Sequence, residues 1–98
     1  MNGLQDLVLG LKEAPAYLVV VLHGWGAEGK DIAQFAEIFV RIMPFAAFHL
    51  PTAPFPCDDG RGFDWLGENG VRSSALLLDD FLDRAMAKYG LDESKTIL

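Results

Sequence analysis

The chain has 98 residues and a mass of 10.8 kDa, 51% apolar and 22% charged, the composition of one globular domain at most. Eight basic against fourteen acidic residues give a net charge of −6, which argues against nucleic-acid phosphates and anionic membrane surfaces as partners. The longest apolar run, residues 16–22, is far short of the roughly 20 that cross a bilayer, and no basic stretch leads an apolar one at the start.

The single cysteine, Cys57, has no intrachain disulfide partner, and no Cys/His cluster has zinc spacing. The expectation is a cytoplasmic domain held together by its apolar core, with no metal. The clearest strand is 17–22 (YLVVVL), whose unbroken apolar run suits a parallel strand buried on both faces. It opens into a glycine-rich turn, HGWGAEGKD, over residues 23–31. A helix should follow, with Ile32, Phe35, Ala36, Phe39, Ile42 and Met43 on one buried stripe. Asp31 is its expected N-cap, with Gln34 completing a capping box, and Pro44 stops it. Residues 45–50 (FAAFHL) make a second strand, so strand, helix and strand form a βαβ crossover.

Residues 51–70 read as a long ordered loop, too apolar at Phe55, Phe63, Trp65 and Leu66 to be a plain linker. A second helix carries Val71, Ala75, Leu78, Leu82, Ala85, Met86 and Tyr89 on its buried stripe and Gly90 as its C′ residue. Asp79, Asp80, Asp83, Arg84 and Lys88 lie off that stripe, as a solvated face rather than a cation site. Residues 95–98 (KTIL) open a third strand. A parallel strand there asks for more sheet and more helix around it, so the fold class expected is α/β, a parallel sheet with flanking helices, cut off partway.

Two chemistries compete for the glycine turn. Gly24, Gly29 and Lys30 fit the G-x-x-x-x-G-K part of a phosphate loop, but Asp31 stands where magnesium binding needs Ser or Thr. The other reading is an oxyanion loop, in which a turn after an early strand aims a backbone N–H at the alkoxide of acyl transfer.

Three segments together carry a resemblance: Leu22-His23-Gly24-Trp25-Gly26, then Pro51-Thr52-Ala53-Pro54-Phe55-Pro56, then the glycine-rich stretch from Gly60 to Trp65. Over residues 16–98 the chain resembles the phospholipase/carboxylesterase family of α/β-hydrolases, which includes the acyl-protein thioesterases. The resemblance implies that residues 1–98 are the amino-terminal part of a single α/β-hydrolase domain, ending before the nucleophile elbow. It implies a serine hydrolase of carboxylic esters, thioesters or lysophospholipids, working without metal or cofactor on a small-molecule substrate. By position, the Trp25 backbone N–H is the first oxyanion donor, with His23, Gly24 and Gly26 supporting the loop and Trp25 and Trp65 lining the substrate pocket. The family's triad order is Ser, Asp, His, and all three lie beyond these residues. His23 and His49 come too early in the chain to be the triad base. Ser73 and Ser74 start a helix, and Ser94 sits in a polar turn. The 98 residues alone are therefore expected to be inactive. Cys57, flanked by Asp58 and Asp59, is a poor thiolate, and nothing in the sequence separates a phosphate head-group role for Arg61 and Arg72 from ordinary solubility. The rival reading is a non-catalytic binding or interaction module, a remnant of the fold or a fragment that docks on a partner, with the exposed strand edge near Leu98 as a route to self-association.

Overall fold

A computed structural model describes residues 4–57, 60–66 and 71–98. The expectations for Asp58, Asp59 and residues 67–70 concern positions outside the described residues. The elements are β1 (Asp6–Gly10), β2 (Tyr17–Val20), a 3-10 turn (Gly29–Ile32), α1 (Ala33–Ile42), β3 (Ala46–Pro51), β4 (Phe55–Pro56), β5 (Phe63–Asp64), α2 (Val71–Tyr89), a second 3-10 turn (Glu93–Lys95) and β6 (Thr96–Ile97).

The main sheet runs β1-β3-β2-β6. β2 pairs in parallel with β3 on one side and β6 on the other, while β1 runs antiparallel along β3. Successive strand residues face opposite sides, and that alternation divides the core. Val19, Phe48 and Leu50 pack with Ala36 of α1. Leu18 and Val20 pack with Ala85 of α2. Because β2 and β3 are covered on both faces, neither strand needs polar alternation.

Four expectations are corrected. β1 was not anticipated, since DLVLG is short and half-exposed and gains its order from pairing with β3. β2 ends at Val20, and Val21 continues only as far as one hydrogen bond, to the His49 carbonyl at 3.0 Å. Asp31 does not cap α1: it lies within the first 3-10 turn, where its carboxylate accepts the Glu28 N–H at 2.8 Å. Phe35, Phe39 and Ile42 are 67%, 52% and 66% exposed. Of the expected stripe, Ile32, Ala36 and Met43 do meet the core, joined by Ala33 and Val40. Periodicity locates an apolar face; what covers it depends on the neighbouring elements.

α2 spans the expected residues, but Val71 and Ala75 are exposed in its first turns and Ser74 is buried. Its lower half, with Phe81, Leu82, Met86 and Tyr89, makes the packing contact. Gly90 takes φ +67°, and the Leu91 N–H reaches back to the Met86 carbonyl at 2.9 Å, closing the helix as a left-handed cap does. The long loop contains a small antiparallel pair, β4 with β5.

Candidate oxyanion turn

The turn after β2 is held from several sides. His23 is 4% exposed, and both ring nitrogens are engaged. Its Nε2 accepts the Ala53 N–H at 2.9 Å, so Nδ1 carries the hydrogen and donates to the Gly24 carbonyl at 2.7 Å. The Trp65 indole N–H donates to the His23 carbonyl at 3.0 Å, with its ring 5.3 Å from the imidazole. The Ser74 hydroxyl donates in turn to the Trp65 carbonyl.

Further round the turn, the backbone is paired residue by residue. The Gly26 N–H donates to the Phe63 carbonyl at 3.1 Å and the Ala27 N–H to the Gly24 carbonyl at 3.3 Å. The Glu28 N–H goes to Asp31, and the Gly29 N–H to the Thr52 hydroxyl at 2.9 Å. Among the described residues, none accepts the Trp25 N–H. A phosphate loop needs several free amides converging on one anion. Here those of residues 26–29 are already taken, and Lys30 lies 3.7 Å from the Glu28 carboxylate.

Two glycines of the turn are demanded by geometry. Gly26 has φ +81°, and a Cβ on Gly29 would lie 2.2 Å from the Leu50 carbonyl oxygen. Around Gly24, by contrast, nothing lies within 4 Å of where a Cβ would be. Trp25 stands 65% exposed at the tip, and Trp65 is half-buried against His23. A separate apolar cleft of about 570 Å³ lies between α1 and the sheet, lined by β2, Phe35, Phe39, Ile97 and Leu98 among others. Neither tryptophan lines it.

The remaining candidates are occupied elsewhere. His49 is buried in β3, its Nδ1 2.5 Å from an Asp6 carboxylate oxygen and its Nε2 2.6 Å from the Tyr89 hydroxyl. A carboxylate only accepts, so Nδ1 carries the hydrogen, and Nε2 shares the second hydrogen bond with the Tyr89 hydroxyl. Burial, and then the charge of Asp6, raises the Tyr89 hydroxyl above its ordinary value of 10.0. The Ser94 hydroxyl donates to Asp92 at 2.5 Å, so the hydroxyls of Ser74 and Ser94 go elsewhere than to a histidine. Cys57 is buried, with its N–H on the Gly62 carbonyl. Asp79, Asp80 and Asp83 are exposed, and Asp80 pairs with Arg84 at 2.9 Å. Among the described residues, no three His, Cys, Asp or Glu side chains are grouped to hold a metal ion, and no helix is long and apolar enough to cross a membrane.

Sequence reasoning missed Thr52, Phe63 and Ser74 as supports of the turn. Only Thr52 left a signal, as a lone hydroxyl in an otherwise apolar, proline-rich segment that follows a buried strand.

A mostly parallel sheet with a helix on each face and a glycine turn leaving its central strand is the architecture of an α/β-hydrolase in the part that this chain spans. No protein-family model and no curated protein matches the sequence. Solved structures of similar fold do match, and they include two esterases. The chain is similar to esterase PE8, with a TM-score of 0.86 and 28% identity over 97% of this chain and 50% of that one. It is also similar to a carboxylesterase from Mesorhizobium loti, with a TM-score of 0.69 and 21% identity over 91% and 44%. The chain spans about half the length of the solved structures it matches.

Proposed function

We propose that this chain supplies the oxyanion turn of a serine carboxylic-ester hydrolase, as the amino-terminal part of one α/β-hydrolase domain. The substrates are small-molecule carboxylic esters, acyl thioesters or lysophospholipids, and the compartment is the cytoplasm. The observation that carries the reading is the Trp25 N–H, which has no acceptor among the described residues in a turn whose next four amides are all paired. When a serine attacks an acyl carbon, the carbonyl oxygen gains negative charge, and a pre-aimed N–H stabilises it at no reorganisation cost. The serine, its histidine base, the aspartate and the second donor come from outside these residues. The exposed indole of Trp25 and that of Trp65 border the acyl group.

The test joins this chain to the half of esterase PE8 that it does not span and follows p-nitrophenyl butyrate hydrolysis. Replacing the peptide bond before Trp25 by an ester removes only the N–H. It should lower kcat by about 10²–10³-fold with little change in KM. An ester-linked chimera as fast as its amide parent would defeat the reading. The 98-residue chain alone should show no turnover above a heat-treated control.

A second reading, a non-catalytic module that self-associates, draws support from the exposed apolar wall of Phe35, Phe39, Ile97 and Leu98. Sedimentation separates the two: a clean monomer at micromolar concentration removes this alternative.

A further inference from the structure

Gly24 is held in the turn by hydrogen bonds and not by packing. Among the described residues, no atom beyond its neighbours lies within 4 Å of its Cβ position, and glycine has the widest range of conformations to choose from. Yet the direction of the Trp25 N–H depends on it. In a trans peptide the N–H points opposite to the carbonyl of the preceding residue, so the Trp25 donor is aimed by whatever holds the Gly24 carbonyl. That carbonyl receives the His23 Nδ1–H and the Ala27 N–H. The peptide on the other side of Gly24 begins with the His23 carbonyl, which receives the Trp65 indole N–H.

We propose that Trp65 is a positioning residue for the oxyanion turn: its indole N–H, on a backbone anchored to α2 by the Ser74 hydroxyl, locks the otherwise free Gly24 and thereby aims the Trp25 N–H. This rests on the oxyanion reading for its purpose, but not for its physics. With the planes of both peptides flanking Gly24 held by hydrogen bonds, the two soft dihedrals between them are set. The strap crosses long stretches of chain, since residue 65 binds residue 23 and residue 74 binds residue 65. Ser74 is 2% exposed, so the anchor is shielded from water, where a hydroxyl–carbonyl bond exchanges partners easily. The same ring that supplies the N–H also packs on the His23 imidazole, so one side chain steadies both the carbonyl and the ring that acts on the next carbonyl.

The test uses the 98-residue chain and backbone ¹⁵N relaxation. Trp65→Phe keeps an aromatic ring against His23 and deletes the N–H. The order parameters of Gly24 and Trp25 should fall from about 0.85 to below about 0.6, while those of β2 and β3 stay at the higher value. Ser74→Ala should loosen the same two residues to a smaller extent, and Ser74→Thr, which keeps the hydroxyl, should restore them. Unchanged order at Gly24 and Trp25 in Trp65→Phe overturns the proposal. So does an even loss of order through β2 and β3, because the indole would then hold the sheet and not the turn. Should Trp65→Phe fail to fold, the Ser74 pair decides by the same readout: loosening by Ala without rescue by Thr rejects the anchor. None of these outcomes involves ester chemistry, so the oxyanion reading stands or falls separately on the ester-linked chimera.

Discussion

Alanine at Gly29 and alanine at Gly24 should have opposite consequences, although both glycines belong to the same motif. At Gly29 the added Cβ would sit 2.2 Å from the Leu50 carbonyl oxygen and 3.1 Å from its carbon. Both are backbone atoms of the fully buried strand β3, so no flexible side-chain end can yield. Relieving the overlap means moving the turn away from β3. Overpacking of this kind costs about 1–3 kcal/mol. The shift also pulls the Gly29 N–H from the Thr52 hydroxyl, a buried hydrogen bond of 2.9 Å, and an unsatisfied buried donor costs about 1–3 kcal/mol more. The sum, roughly 2–6 kcal/mol, is a large part of the 5–15 kcal/mol that holds an ordinary domain. At about 4–8 °C per kcal/mol for a chain of this size, Tm should fall by at least 10 °C or so. Gly24→Ala meets open space at an ordinary φ, and should change stability by less than about 1 kcal/mol in either direction. Urea and thermal unfolding followed by far-UV circular dichroism read both variants. A Gly29→Ala protein melting within 3 °C or so of its parent, or a Gly24→Ala protein losing as much as Gly29→Ala, would refute the steric argument.

Tyr89→Phe should cost about 1–3 kcal/mol by leaving the buried Nε2 of His49 without its hydrogen-bond partner, measurable as a lower urea midpoint at unchanged slope. The same hydroxyl sets an alkaline limit. Its proton is held more tightly in the folded chain than in the unfolded one, so the stability it contributes is complete below pH 10 or so and is lost as pH rises through the raised folded value. Urea midpoints from pH 8 to 11.5 should decline at the upper end, and less steeply in Tyr89→Phe. At the opposite extreme, hydrogen bonds from the Ser94 side chain and backbone hold the Asp92 carboxyl below its ordinary value of 3.8. That contribution is present above the ordinary value and disappears as pH falls through the depressed one. Ser94→Ala should raise the Asp92 pKa towards 3.8, read from side-chain carboxyl shifts in a ¹³C titration.

The α/β class, the parallel strands, both long helices and the glycine turn were legible along the chain because each carries a local signature. YLVVVL is apolar without alternation, Pro44 and Gly90 punctuate the helices, and the three glycines of the turn flank an exposed tryptophan. Those signatures are set by backbone sterics and by the periods of helix and strand, which act within a few residues. What covers an apolar face is not local. Phe35 and Phe39 share a helix with Ala36, yet only Ala36 lies under the sheet, because the choice falls to the position of β3 and β6. The strand β1 likewise exists through its partner, and its Asp6 meets His49 across 43 positions. The donors and acceptors that shape the turn were hidden for the same reason: Thr52, Ala53, Phe63 and Trp65 approach residues 23–29 only after the chain has folded back. Hydrogen bonds are short-range and indifferent to sequence separation, so pattern named the loop, and packing determined which of its amides find partners among the described residues.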